Sequence, residues 1–191
     1  MCHKLLGDAR LWGLLLRIDG DLAAAARAGG CRICGGALHR SCYPRKPRGG
    51  PEDLAGYDRR ESFCCAKEGC RKRLTPPSLR FLGRRVYLGA VVVLVSALRH
   101  GATRSRLTRL GELVGASRRT LDRWREWWRE AFAASPFWKA AAGQFEKPVE
   151  CELLPLSLLA RFGGDELERL VALLRFLAPL STASARDAMA F

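Results

Sequence analysis

Four cysteines are spaced as two pairs that together could bind a metal ion. The first pair is Cys31-x2-Cys34, and the second, about thirty residues later, is Cys65-x4-Cys70. Gly35 follows the first pair and permits a tight turn in which backbone N–H groups point at the sulfurs. Two such pairs, separated by a loop and strands, make the four-thiolate tetrahedral set of a zinc ribbon. We therefore expect one Zn²⁺ ion, held by Cys31, Cys34, Cys65 and Cys70.

The choice of the third ligand is open, because Cys64 adjoins Cys65. We prefer Cys65, since it shares one face of a predicted strand with Phe63. A site made of four thiolates has no open coordination position, so we expect a structural metal and not a catalytic one. Three further potential ligands stand alone in the sequence, and we expect them to be incidental: Cys2, His3 and Cys151.

A rival ligand set lies within the stretch CRICGGALHRSC. Together with the first cysteine pair, His39 and Cys42 would form a site that resembles a retroviral zinc knuckle, although its last spacing is shorter than in that family. This alternative leaves Cys65 and Cys70 without a role. In a third, metal-free alternative, Cys42 and Cys64 are small buried thiols and His39 makes an ordinary hydrogen bond.

Basic residues accompany both halves of the cysteine set. Three lie in the loop between the pairs, where prolines keep the chain extended, and three follow the second pair: Arg45, Lys46, Arg48, Arg71, Lys72 and Arg73. Because a bound metal would determine where these side chains point, we expect them to contact phosphate groups. The alternative is a solvated charged surface with no ligand.

The overall charge supports an anionic partner. Lys and Arg number 33 against 19 Asp and Glu, which gives a net charge of +14. Such a charge favours nucleic acid or an anionic membrane surface. The most apolar run, Val86–Leu98, is shorter than the ~20 residues that a membrane span needs, and no secretory signal is convincing. We therefore expect a cytoplasmic, nucleoid-associated protein with its cysteines reduced.

A second motif follows in the middle third of the chain. Leu107 and Leu110 have helical spacing, Gly115 stands where a turn needs positive φ, and Ser117 could cap a second helix. This layout predicts a helix-turn-helix over residues 107–126. Four residues at the start of its second helix are expected to enter the major groove of DNA: Ser117, Arg118, Arg119 and Arg123. The alternative is a helical hairpin with a basic solvated face.

These observations predict a mainly α protein with a small zinc-ribbon β-hairpin subdomain. We divide it into a helical segment 1–30, with Asp21 as a helix N-cap, a zinc ribbon with a basic loop 31–78, a helical domain 79–134, and a helical segment 135–191. The last segment contains an amphipathic helix, 165–178, that could bind a partner or form a homodimer. The three tryptophans after the turn are expected in the core and not stacked on bases: Trp124, Trp127 and Trp128.

The order of these parts resembles the N-terminal DNA-binding part of bacterial insertion-sequence transposases. The matching stretches are CRICGG, FCCAKEGCRKRLTPPS and LGELVGASRRTLDRW, within residues 31–130. The resemblance implies that the ribbon and the helix-turn-helix hold the terminal DNA of a mobile element. In that family, a downstream RNase H-like domain with three acidic residues then cuts and joins the strands.

The chain departs from that family after the helix-turn-helix. Only about sixty residues follow, and they lack a run of strands that could place three carboxylates around two metal ions. We therefore expect a transposase-derived or transposase-associated protein without strand-transfer activity of its own.

The sequence predicts a sequence-preferring binder of double-stranded DNA. The alternative is an RNA-binding or ribonucleoprotein-binding zinc-ribbon protein, and a further one is a protein that binds a partner through helix 165–178. We expect no enzymatic activity and no small-molecule substrate, since no Ser/His/Asp or Cys/His set and no phosphate-binding glycine motif is visible.

Overall fold

The computed structural model describes residues 2–45, 54–81, 103–112 and 114–182. These residues form a mainly helical protein with two small antiparallel sheets. The apolar run Val86–Leu98 lies outside the described residues, and so do two of the predicted phosphate contacts, Lys46 and Arg48. Within the described ranges, no helix is both long and apolar enough to cross a bilayer.

The N-terminal segment contains one long helix. A 3-10 helix over Cys2–Gly7 leads into α1 (Ala9–Ala28), which begins where the Asp8 carboxylate accepts a hydrogen bond from the Arg10 backbone N–H at 2.9 Å. The prediction of an N-cap at Asp21 is wrong, because the helical hydrogen bonding continues past it and Asp21 lies exposed in the interior of α1. The helix ends at Gly29, as predicted.

The cysteine-rich segment folds into short strands. They are β1 (Leu38–Arg40), β2 (Tyr43–Pro44), β3 (Arg59–Arg60), β4 (Phe63–Cys65) and β5 (Arg73–Leu74). One antiparallel sheet has the order β1-β4-β5, and β2 pairs with β3 in a second. In the first sheet Leu38 lies opposite Cys65, and Cys64 lies opposite both His39 and Arg73. We call residues 31–74 the metal module.

Two helices and a turn form the middle of the chain. Helix α2 (Arg104–Glu112) is followed by a turn at Gly115 and by α3 (Arg118–Trp127), whose N-cap is Ser117. A π-helix over Trp128–Phe132 continues directly from α3. We call residues 104–127 the α2–α3 unit.

Three more helices complete the described chain. They are α4 (Pro136–Ala142), α5 (Leu156–Leu159) and α6 (Glu166–Leu177), with one 3-10 helix over Cys151–Leu153 before α5 and another over Ala178–Ser181 after α6. Helix α6 begins with a capping box, in which Asp165 and Glu168 each accept the other's backbone N–H at 2.8 Å. Its buried face, which includes Leu170, Leu174 and Leu177, packs into the core of this chain. Homodimer or partner binding through this helix stays a prediction.

The apolar side chains form two clusters. The larger joins α1, the α2–α3 unit and the C-terminal helices, and it contains the three tryptophans predicted to be in the core, Trp124, Trp127 and Trp128. The smaller consists of Ala23 of α1 and four buried residues of the metal module: Cys31, Leu38, Phe63 and Cys65. The metal module therefore has little apolar core of its own.

Candidate metal centre and basic surfaces

The four cysteines predicted as ligands converge at one point. The sulfurs of Cys31, Cys34, Cys65 and Cys70 all lie within 4.8 Å of one another. The Cys31 and Cys70 sulfurs are 3.8 Å apart, and those of Cys34 and Cys65 are 3.5 Å apart. A tetrahedral ion with metal–sulfur bonds of about 2.3 Å separates its ligands by about 3.8 Å. The four thiols could therefore hold a metal ion without a large rearrangement.

Glycines shape the turns around the sulfurs. Gly35 has φ +68° and donates its N–H to the Cys31 carbonyl at 2.8 Å, while Gly69 has φ +81° in the turn that precedes Cys70. A Cβ atom added at Gly36 would lie 3.3 Å from the Cys65 sulfur and 3.4 Å from that of Cys34. A side chain at position 36 would thus crowd two of the four thiols.

The pKa values of two thiols, one from each cysteine pair, are shifted in opposite directions. The backbone N–H groups of Ile33 and Cys34 point at the Cys31 sulfur and lower its pKa to about 7. Burial raises the pKa of the Cys65 thiol to about 12, although the Lys67 N–H donates to its sulfur. A buried thiol of this kind ionises readily only beside a cation. The arrangement is chemically suited to a metal that supplies the missing positive charge.

The structure distinguishes Cys65 from Cys64. Cys65 is fully buried in the cluster, whereas the half-buried Cys64 lies on the other face of β4, with its sulfur 3.5 Å from the Arg71 carbonyl. The rival knuckle set is not brought together, because His39 is exposed on β1 and Cys42 bonds to Glu61 at 3.0 Å. Cys65 is the geometrically consistent third ligand.

Basic residues of the metal module lie on its surface. Arg71, Lys72 and Arg73 are exposed in the segment that leads from Cys70 into β5. Arg45 is partly buried just after β2, where its backbone N–H donates to the Asp58 carbonyl at 2.5 Å. We call the three exposed residues the module's basic surface.

The turn between α2 and α3 depends on two glycines. Gly115 has φ +58°, as predicted from its place in the sequence. A Cβ atom at Gly111 would lie 2.4 Å from the Ala116 carbonyl oxygen, so only glycine allows α2 to approach the turn this closely. The Ser117 hydroxyl accepts the Thr120 N–H at 3.3 Å and starts α3.

Helix α3 has one buried and one basic face. Leu121 and Trp124 are buried in the larger cluster, as predicted from their spacing. The residues predicted to enter a DNA groove are exposed near the start of the helix: Ser117, Arg118, Arg119 and Arg123. Arg118 lies 3.7 Å from Asp122 across one helical turn. We call these four residues the α3 basic face.

A buried polar group that was not predicted from the sequence links the metal module to the helices. Asp19, Arg60 and Arg80 are at most 3% exposed. The available signal was Asp19, which interrupts the apolar positions Leu15, Ile18 and Leu22 of α1 at helical spacing. A charge on the buried face of a helix requires a buried partner.

Comparison with protein-family models, with characterised proteins and with solved structures finds no match for the chain.

Proposed function

We propose that the chain is a zinc-containing protein that binds double-stranded DNA with a sequence preference. The α2–α3 unit would act as a helix-turn-helix, with the α3 basic face in the major groove. The observation that carries the proposal is the division of α3: Leu121 and Trp124 are buried, while Arg118, Arg119 and Arg123 are exposed around a capped N-terminus. In a recognition helix, it is these N-terminal residues that contact base edges.

Zinc is the ion proposed for the four-cysteine cluster. Four thiolates in a tetrahedral arrangement favour Zn²⁺ over hard cations, which prefer oxygen ligands. Such a site would act as a zinc ribbon that holds Arg71, Lys72 and Arg73 in place. These side chains would contact backbone phosphates, which supply affinity without sequence information.

A transposase-derived origin is part of the proposal. It rests on the order of the parts, a four-cysteine module followed by two helices with a glycine turn, and on the sequence resemblance described above. We propose that the protein has no strand-transfer activity of its own. Its role would then be to recognise the ends of a mobile element or to regulate that element.

Binding to duplexes selected from a random library tests the proposal. Arg119→Ala should reduce the preference for the selected duplex over a scrambled one, since a guanine contact supplies about 1–3 kcal/mol of discrimination. Arg73→Ala should weaken binding to both duplexes equally and lower the slope of log affinity against log salt by about 1. Arg17→Ala is the matched control, because Arg17 is exposed on α1 and belongs to neither basic surface.

Two results would contradict the proposal in different ways. Equal affinity of the wild-type protein for all duplexes would remove the base-reading role of α3. Structured RNA that displaces the selected duplex at equal concentration would instead support the alternative of an RNA-binding zinc-ribbon protein.

A further inference from the structure

The carboxylate of Asp19 organises a buried polar junction between the metal module and the helices. It lies in the second half of α1 and is 3% exposed. It accepts three hydrogen bonds, from the Ser78 hydroxyl at 2.6 Å, from the Leu79 backbone N–H at 2.7 Å and from Arg80 Nε at 2.9 Å. All three donors lie in the segment that follows β5, so α1 binds the exit of the metal module directly.

The guanidinium of Arg80 extends the junction to the other side of the module. Its Nη1 donates to the carbonyls of Gly56 and Tyr57 at 3.0 and 2.6 Å, and its Nη2 donates to that of Arg59 at 3.2 Å. These carbonyls belong to the segment that enters β3, the strand paired with β2. One buried side chain thus joins α1 to the two-stranded sheet of β2 and β3.

A second buried arginine reinforces the junction. Arg60 Nη2 donates to the Pro76 carbonyl at 2.5 Å and lies 3.5 Å from the Ser181 carbonyl, beyond α6. The Ser181 hydroxyl in turn accepts the Ser78 backbone N–H at 2.9 Å. Pro76 and Ser78, in the segment that follows β5, are both buried.

The junction and the larger apolar cluster together connect the metal module to the α2–α3 unit. Leu15 and Ile18 of α1 share one apolar cluster with Leu121 and Trp124 of α3. From α1 the connection runs through Asp19 and Arg80 into the sheet of β2 and β3. Neither basic surface contains a residue of the junction itself.

We infer that Arg80 is a positioning residue that sets the orientation of the metal module relative to the α2–α3 unit. The inference rests on the proposed function in one respect: with duplex DNA as ligand, a fixed orientation means that the two basic surfaces recognise two DNA tracts at one fixed spacing. Holding both surfaces in place also raises the effective concentration of the second contact once the first has formed.

Arginine is required at this position by the number and directions of the acceptors. Its planar fork reaches one carboxylate and three carbonyls at once, which a lysine ammonium with three donors on a flexible stem cannot do. Lysine keeps the positive charge beside Asp19. Arg80→Lys therefore removes the directional bonds while it avoids an unpaired buried carboxylate.

The orientation is measured on the full zinc-loaded chain by residual dipolar couplings of backbone amides. In the wild-type protein, one alignment tensor should fit both the metal module and the helices. In Arg80→Lys, we expect the two parts to need different tensors while the zinc content and the helical circular dichroism stay unchanged. Arg129→Lys is the matched control, because Arg129 is exposed and bonds only to Glu152 among the described contacts.

The DNA readout uses a duplex selected by the wild-type protein and a version with five extra base pairs between its two protected tracts. The wild-type protein should lose about ten-fold or more in affinity on this insertion, because the second contact is lost. Arg80→Lys should bind the original duplex more weakly and should show a smaller penalty for the insertion. If Arg80 contributed only to stability, the substitution would reduce the amount of folded protein without changing the ratio of the affinities for the original and the extended duplex.

The outcomes separate the inference from the proposed function. One common tensor and an unchanged insertion penalty in zinc-loaded Arg80→Lys would overturn the inference. If Arg80→Lys fails to fold, Asp19→Asn decides by the same measurements: its amide oxygen can still accept from the Leu79 N–H, while its NH2 group replaces the oxygen that accepts from Arg80 Nε. A wild-type protein that binds no duplex would contradict the proposed function, and the dipolar couplings would still decide whether Arg80 sets the orientation.

Discussion

At the scale of single residues, adjacent positions on one strand have different chemistry. Cys64 and Cys65 differ only in which face of β4 they occupy, yet Cys65 alone lies among the other three thiols. Because strand side chains alternate between faces, no small backbone adjustment exchanges the two. The pair therefore gives a sharp test of the metal site.

Cys65→Ser should abolish metal binding, and Cys64→Ser should retain about one zinc per chain, since only Cys65 points at the cluster. The measurement is elemental analysis of protein purified without added zinc. Cys42→Ser serves as a second control, because the Cys42 thiol bonds to Glu61 and not to the cluster. Zinc that persists in Cys65→Ser but is lost in Cys42→Ser would instead support the knuckle set.

Gly111→Ala should destabilise the protein by about 1–3 kcal/mol, the usual cost of overpacking. The added Cβ would lie 2.4 Å from the Ala116 carbonyl oxygen and would force the turn away from α2. Gly20→Ala is the matched control: Gly20 lies inside α1 with no atom within 4 Å of an added Cβ. That change should stabilise by about 0.5–1 kcal/mol. Urea unfolding measures the change in unfolding free energy for both variants. Equal changes would contradict the close contact between Gly111 and Ala116.

At the scale of secondary-structure elements, helix starts are determined by local hydrogen bonds. Asp165 and Asp21 both precede apolar, helix-forming stretches, but only Asp165 has the glutamate three residues later that completes a capping box. Asp21 has no such partner, and α1 already begins at Asp8. The two aspartates should therefore respond differently to the same substitution.

Asp165→Ala should cost about 1 kcal/mol of unfolding free energy, because the Glu168 backbone N–H loses its acceptor. Asp21→Ala should be close to neutral, since the residue lies exposed in a helix interior where alanine is the better helix former. Chemical denaturation of both variants gives the comparison. A loss of similar size at Asp21 would mean that a helix does begin there.

At the scale of the whole molecule, the metal module and the helices differ in what stabilises them. The helices share one large apolar cluster, whereas the module has a small one that includes two of the four thiols. A segment with so little core would depend on a bound metal ion for folding. The two parts should therefore respond unequally to removal of the metal.

Chelation of the metal should unfold the metal module and leave most of the helical structure in place. Amides of β1, β4 and β5 should lose their chemical-shift dispersion and their protection from hydrogen exchange, while those of α3 and α6 keep both. Re-addition of zinc should restore the original spectrum, which controls for irreversible damage. Uniform loss of protection across the chain would show instead that the module and the helices unfold as one unit.

The sequence alone was sufficient for the features that depend on spacing along the chain. The two cysteine pairs, the glycine of positive φ at position 115, the cap at Ser117 and the apolar face of α3 were all predicted correctly. Each follows from local geometry: a tight turn, a helical period or a strand alternation limits which residues can stand at a given offset. The strand alternation also identified Cys65 correctly over its neighbour.

The tertiary structure decided the features that depend on partners distant in sequence. Asp21 seemed a helix cap because a local pattern cannot show that α1 already began at Asp8 and continued through it. The buried bonds of Asp19 reach about sixty residues along the chain, to Ser78 and Arg80. No periodicity encodes such a pairing, since it arises only when packing brings two buried charges together. For the same reason, only the folded chain shows how the metal module is joined to the helices.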